Sequence, residues 1–201
     1  MRLAVLASGF GSNLQAIIDA AGRKEIAAEV ALVISDVEDA FALERARKHH
    51  IENIFLDPLK YESREVFDST AADLLLERQI NLVVLAGYMR FLSPPFIQKF
   101  SGRIMNIHPS LLPSFPGLHG VKKALNHGVK VSGCTVHFVD EGLDTGPIIL
   151  QEAVPVLDGD TEESLQERIH KVEHRLYPRA IQLFIENKLR LEGKRCRQVE
   201  G

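Results

Sequence analysis

Short apolar runs bounded by turn residues recur at positions 3–7, 30–34, 82–85 and 104–107. Their unbroken Val, Ile and Leu content suits strands buried on both faces. Between them the apolar positions change to helical spacing. Residues 63–77 place Phe67, Ala71, Leu74 and Leu75 on one face, and residues 13–21 and 40–48 repeat the pattern. This alternation predicts an α/β fold, a mostly parallel twisted sheet flanked by helices with right-handed crossovers. After residue 107 the pattern changes: a Pro-punctuated loop leads to strand-like runs at 135–139 and 148–156, expected as antiparallel C-terminal strands, and then to a helix over 162–185. Ligands of such sheets bind beyond the carboxyl ends of the strands, which directs attention to the loops there.

Composition narrows the classes. At 201 residues, with no internal repeat and no Gly/Ser-rich or low-complexity run, the chain is expected to form a single domain, residues 1–201. Twenty-four Lys+Arg against 27 Asp+Glu leave a net charge of -3. A chain so balanced lacks the basic field of a general nucleic-acid binder, so no nucleic-acid partner is expected and any anion must be held locally. The basic cluster Lys188, Arg190, Lys194, Arg195 and Arg197 reads as a short solvated tail. Cys134 and Cys196 match no metal or redox spacing, which fits a reduced, cytoplasmic protein. No apolar stretch reaches the roughly 18 residues of a membrane span, and the run at 3–7 is too short for a secretory h-region, so no membrane partner is expected.

Ser8-Gly9-Phe10-Gly11-Ser12-Asn13 follows a strand and opens a helix, where backbone N–H groups and the helix dipole hold anions. A dinucleotide fingerprint would want a third glycine where this chain has Leu14, although Asp36 after the second strand imitates the ribose-binding acid. Ser12 and Asn13 offer polar side chains that can cap the helix and donate to a phosphate monoester. The loop by itself is equally compatible with a plain capped turn.

Asn106 and His108 stand two apart at the end of a buried strand, so both project to one side while Met105 and Ile107 face the other. Polar groups there need partners or a task. Five of the nine prolines lie between 94 and 116, enough to stiffen a site wall. The acidic turn 140–147 carries Asp144, a carboxylate within potential reach of His108. A satisfied structural pair and an ordinary surface turn stay open on these residues alone.

Four motifs then carry a resemblance over nearly the whole chain: Gly9-x-Gly11-Ser12-Asn13, Val84-Leu85-Ala86-Gly87-Tyr88-Met89-Arg90, Asn106-Ile107-His108-Pro109-Ser110-Leu111-Leu112-Pro113 and Asp144-x-Gly146-Pro147. Together they resemble the folate-dependent phosphoribosylglycinamide formyltransferases of purine synthesis, and the Rossmann-like formyltransferase fold is what that resemblance implies. The Asn-x-His-Pro-Ser-Leu-Leu-Pro segment is common to formyl-folate enzymes. The Gly-Ser-Asn loop and the Phe115-Pro116-Gly117-Leu118-His119 run narrow it to this group.

The resemblance implies attack by the amine of glycinamide ribonucleotide on the formyl carbon of 10-formyltetrahydrofolate, a co-substrate, through a tetrahedral intermediate and without a metal. It makes Asn106 an oxyanion donor, a role worth ~10²–10³ in rate. His108 would act as an imidazolium that moves a proton, with Asp144 favouring that charged form and ordering a relay water. It implies phosphate and ribonucleotide binding by Gly11, Ser12, Asn13 and Glu173, and folate binding by Arg64, Met89, Arg90, Phe91 and Leu92, the apolar members against the pterin. It divides the domain into a phosphate-binding half, about 1–100, and a folate and catalytic half, about 101–190, before the tail. Small-molecule partners and a monomer or weak homodimer are expected.

His170-Lys171-Val172-Glu173-His174 matches a zinc-peptidase pattern, but no clear third ligand accompanies it and a chance match is the expectation. No role is expected for His119, and His137 reads as packed on its strand. Methionyl-tRNA formyltransferases and formyltetrahydrofolate hydrolases would share Asn106, His108 and Asp144. The chain is expected to lack their extra C-terminal and N-terminal domains. A non-catalytic phosphate-binding module is a further alternative, disfavoured by retention of all three polar residues.

Overall fold

The apolar runs become strands within one residue of their expected limits. In the computed structural model, which describes residues 1–199, β1 (Arg2–Leu6), α1 (Ser12–Gly22), β2 (Glu29–Ser35), α2 (Phe41–Lys48), β3 (Asn53–Phe55), α3 (Arg64–Glu77), β4 (Leu82–Leu85) and α4 (Pro94–Lys99) precede β5 (Ile104–His108). The seven-stranded sheet has the order β3-β2-β1-β4-β5-β6-β7, where β6 (Val131–Phe138) and β7 (Ile148–Pro155) follow α5 (Gly120–His127). The chain divides into two compact units, Met1–Met105 and Asn106–Gly201.

In the first unit β1 lies parallel to both β2 and β4, and β2 parallel to β3. Leu3, Val5, Leu6, Leu82, Val83 and Val84 are fully buried. Each such side chain removed from water contributes about 1.5–3 kcal/mol, which is why unbroken apolar runs settle at the centre of a covered sheet. Ser63 caps α3, its Oγ accepting from the Val66 N–H at 3.2 Å. The buried face of α3 is Phe67, Asp68, Ala71, Ala72 and Leu75; Leu74, expected there, is half-buried and a carboxylate takes a place on the core side instead. Two elements escaped the periodicity. β3 is too short to show one, and α4 opens on Pro94 and Pro95, prolines that pre-set a first helical turn as well as stiffen a loop.

In the second unit β6 and β7 pair antiparallel, as expected, over Val131↔Pro155 to His137↔Ile148. α6 (Glu162–Ile185) follows as the 162–185 pattern requires. Thr161 and Ser164 cap each other's backbone at its start, and Asp160 receives a fork from Arg168 at 2.8 Å. The basic tail is corrected: β8 (Leu189–Glu192) and β9 (Arg195–Gln198) form an antiparallel hairpin around Gly193, at φ +60°. Its arginines are exposed, and Arg197 Nε lies 2.9 Å from Glu192. Exposed charges had masked the short alternation at Leu189 and Leu191. Among the described residues no helix is long and apolar enough to cross a membrane.

Candidate active site

The carboxyl end of β5 collects four polar side chains of the second unit. Met105 and Ile107 are buried on one side, and Asn106 and His108 reach a common set of neighbours on the other. Asn106 Nδ2 lies 3.2 Å from His137 Nε2. That nitrogen lies 3.6 Å from Asp144 Oδ1, and Asp144 Oδ2 lies 3.4 Å from His108 Nδ1. The order around the cluster is Asn106, His137, Asp144, His108. Three of these were singled out from the sequence and are brought together here. His137 is packed at 2% exposure, as expected, yet it also belongs to the cluster. The same rule that singled out Asn106 and His108, a polar group on a buried strand, would have found it.

Asp144 sits on the turn between β6 and β7 at φ +53°, a left-handed conformation that aspartate tolerates better than most residues. Gly117 donates its N–H to Oδ2 at 2.7 Å. Burial alone would raise the Asp144 carboxyl; contacts from His137 and Gly117 and the nearby imidazoles outweigh it and hold the group down at about 2. The carboxylate is therefore charged throughout the neutral range.

His108 is held by the loop at one end of its ring and faces Asp144 at the other. Its Nε2 lies 2.8 Å from the Phe115 carbonyl, an acceptor, so Nε2 carries the proton and Nδ1 faces Asp144. Burial lowers the ring's pKa, and the Phe115 carbonyl and Asp144 recover only part of the loss. Asp144 pulls the ring toward its charged form, in the expected direction, and burial opposes that pull more strongly.

The proline-rich loop after β5 is tied down by hydrogen bonds. Leu112 N–H donates to Thr135 Oγ1 at 3.0 Å, that hydroxyl donates to the Ser110 carbonyl at 2.7 Å, and Gln151 Nε2 donates to the Leu112 carbonyl at 2.8 Å. Phe115, whose carbonyl meets His108, is held at φ +54°. Glu173 lies on α6, 3% exposed. After burial itself, its charge is the next cause that pushes the Cys134 thiol up to about 12. His170 and His174 stack at 6.0 Å, and among the described residues no group of three or more His, Cys, Asp or Glu could hold a metal ion.

In the first unit Gly11, at φ +70°, is the residue before α1, and no side chain caps that end. The helical ladder starts with Gln15 N–H to the Gly11 carbonyl at 3.0 Å. Ser12 and Asn13 are thus first-turn residues and not caps, a correction to the sequence reading. A helix without a side-chain cap presents first-turn N–H groups to an incoming anion. Ser8 joins this loop to the next one. Its hydroxyl donates to Asp36 at 2.6 Å and accepts from the Met89 N–H at 2.9 Å, while its own N–H donates to the Gly87 carbonyl at 3.0 Å. Of the residues on that second loop, Met89 and Phe91 are exposed, Leu92 is buried, and Arg90 lies with its guanidinium 4.8 Å over the Phe67 ring. Asp68 fastens the loop, accepting from the Ser93 N–H at 2.5 Å; burial raises its pKa against the pull of Ser93, Arg64 and Arg90. Arg64 opens α3 and lies 3.7 Å from Glu65.

A family model described as "Formyl transferase" matches residues 1–181. The chain is 44% identical, over 92% of its length and 94% of the relative's, to the phosphoribosylglycinamide formyltransferase of Bacillus subtilis (strain 168). It is 51% identical over 92% of its length to the trifunctional purine biosynthetic protein adenosine-3 of Drosophila melanogaster, of which it spans 14%. A solved structure of glycinamide ribonucleotide transformylase 1 from Symbiobacterium toebii superposes with a TM-score of 0.98 at 54% identity, covering 100% of this chain and 94% of that one.

Proposed function

The chain belongs to the formyl transferase family, and from that premise we propose that it transfers the formyl group of 10-formyltetrahydrofolate to the amine of glycinamide ribonucleotide (5'-phosphoribosylglycinamide), a step of purine biosynthesis. The observation that carries the reading is the chain of contacts that runs from Asn106 through His137 and the Asp144 carboxylate to His108. The amine attacks the formyl carbon, and the carbonyl oxygen becomes an oxyanion in the tetrahedral intermediate. The Asn106 amide donates to that oxygen. His108 Nε2–H exchanges the Phe115 carbonyl for the developing oxyanion and donates to it, while the charged Asp144 beside Nδ1 orients the ring and orders the water that takes up the amine proton. Collapse of the intermediate breaks the bond to N10 and releases tetrahydrofolate, with the amine proton relayed to N10.

The phosphate of the acceptor is held by the N–H groups of Gly11, Ser12 and Asn13 at the start of α1, and Glu173 contacts the ribonucleotide. Arg64, Met89, Arg90, Phe91 and Leu92 receive the folate, the exposed Met89 and Phe91 offering apolar surface to the pterin. Partners of this reading are small molecules, and its setting is the cytoplasm.

A spectroscopic transfer assay with the formyl-folate donor tests the reading by comparing three acceptors: glycinamide ribonucleotide, its unphosphorylated amine and water. Transfer that depends on the phosphate is the expected result. Release of formate in water at the same rate would mean a hydrolase, and no turnover with any acceptor would overturn the assignment.

A further inference from the structure

Phe10 interrupts the glycine loop with a large ring that is 67% exposed. An exposed ring gains little from burial, and its surroundings suggest a different purpose. It stacks on Phe41 with centroids 5.1 Å apart and planes 10° from parallel. The Arg45 guanidinium covers both rings, 4.5 Å from Phe10 and 4.8 Å from Phe41. Arg45 Nε also donates to the Phe10 carbonyl at 2.9 Å, and Nη1 donates to Gln15 Oε1 at 3.0 Å. One residue earlier, the Ala42 N–H donates to the Gly9 carbonyl at 3.1 Å.

These two bonds fix two peptide planes. In a trans peptide the carbonyl and the following N–H point in opposite directions. With the Gly9 and Phe10 carbonyls drawn toward α2, the N–H groups of Phe10 and Gly11 are turned away from it. Glycines on both sides of Phe10 would otherwise let these planes rotate at little cost. We infer that Arg45 is a positioning residue for phosphate recognition: it holds the Phe10–Gly11 peptide so that the Gly11 N–H is aimed at the phosphate monoester of the acceptor. The inference rests on the reading that this loop binds that phosphate.

Arg45→Met keeps an apolar stem over the rings and removes the donors. It raises KM for glycinamide ribonucleotide about tenfold, the scale of one hydrogen bond to a charged group, and leaves kcat and KM for the formyl-folate near wild type. With the unphosphorylated amine Arg45→Met and wild type are equal. Arg45→Lys restores the charge without the donor geometry and does not restore KM. Arg47→Ala, on the same helix and paired with Glu44, leaves KM unchanged. An unchanged KM in Arg45→Met, a loss shared by every substrate, or full rescue by Arg45→Lys would each overturn the inference. Titration of wild type and Arg45→Met with inorganic phosphate, read at the Gly11 and Ser12 amide resonances, separates the two proposals. Weaker phosphate binding in the variant supports the positioning role even if wild type transfers nothing, which would overturn the activity alone; equal binding overturns the role.

Discussion

His137 Nε2 and Asp144 Oδ1 approach to 3.6 Å, and through this contact a buried ring on β6 acts on the carboxylate that faces His108. Among the influences that oppose burial, His137 is the strongest in keeping the Asp144 carboxyl down at about 2. In His137→Ala burial is less opposed, so the Asp144 carboxyl titrates at higher pH, which carboxyl-carbon NMR reads directly. Turnover at neutral pH falls roughly tenfold from the lost support. An Asp144 titration identical in both proteins would remove His137 from the electrostatics of the cluster.

Replacing His108 or Asp144 by alanine is expected to leave a folded protein whose kcat is lower by about two orders of magnitude or more. Circular dichroism checks the fold and the transfer assay the rate. Near wild-type turnover in either variant would contradict their proposed roles.

Stability should follow the same carboxylate. Because the folded state holds Asp144 at about 2, below the ordinary 3.8, its contribution of about 2 kcal/mol is complete above pH 3.8 and disappears as the pH falls through 2. His108 is displaced in the same direction, below 6.5. The fold favours its neutral ring, and that contribution is complete above pH 6.5 and declines as acid protonates the ring. Urea denaturation of wild type and Asp144→Asn from pH 6 to pH 2 should give a stability difference that shrinks with acid. A difference constant with pH would mean that Asp144 is not linked to folding as a charge.

Gly11 is required twice over. A Cβ there would meet Ala42 Cα and Cβ at 2.9 Å, and the backbone stands at φ +70°. Gly11→Ala should cost about 1–3 kcal/mol of stability and raise KM for the phosphorylated acceptor. Thermal melts and the transfer assay check both, and wild-type values would mean that α2 yields without disturbing the loop.

The central sheet strands were legible because burial on both faces demands unbroken apolar runs, and α6 because a long helical pattern spans 162–185. What escaped were elements whose signals are short or ambiguous: β3, the proline-initiated α4, α5 and the charged hairpin. In the candidate site Asn106 and His108 were visible as polar residues on an apolar strand. Asp144 needed the family resemblance, since an acidic turn is ordinary surface. His137 is equally a polar residue on a buried strand, but its link to Asn106 and Asp144 needed the structure, because those partners stand on other segments.

By itself the sequence determined that polar residues end an apolar strand and that a glycine loop opens α1, since local periodicity and backbone freedom are written in neighbouring positions. Tertiary structure alone decided their state. The charge of Asp144, the proton on His108 Nε2 and the aim of the Gly11 N–H are set by His137, Gly117, Phe115 and Arg45, groups brought close by folding. Electrostatics and hydrogen bonding act over ångströms in space, and distance along the chain does not encode them.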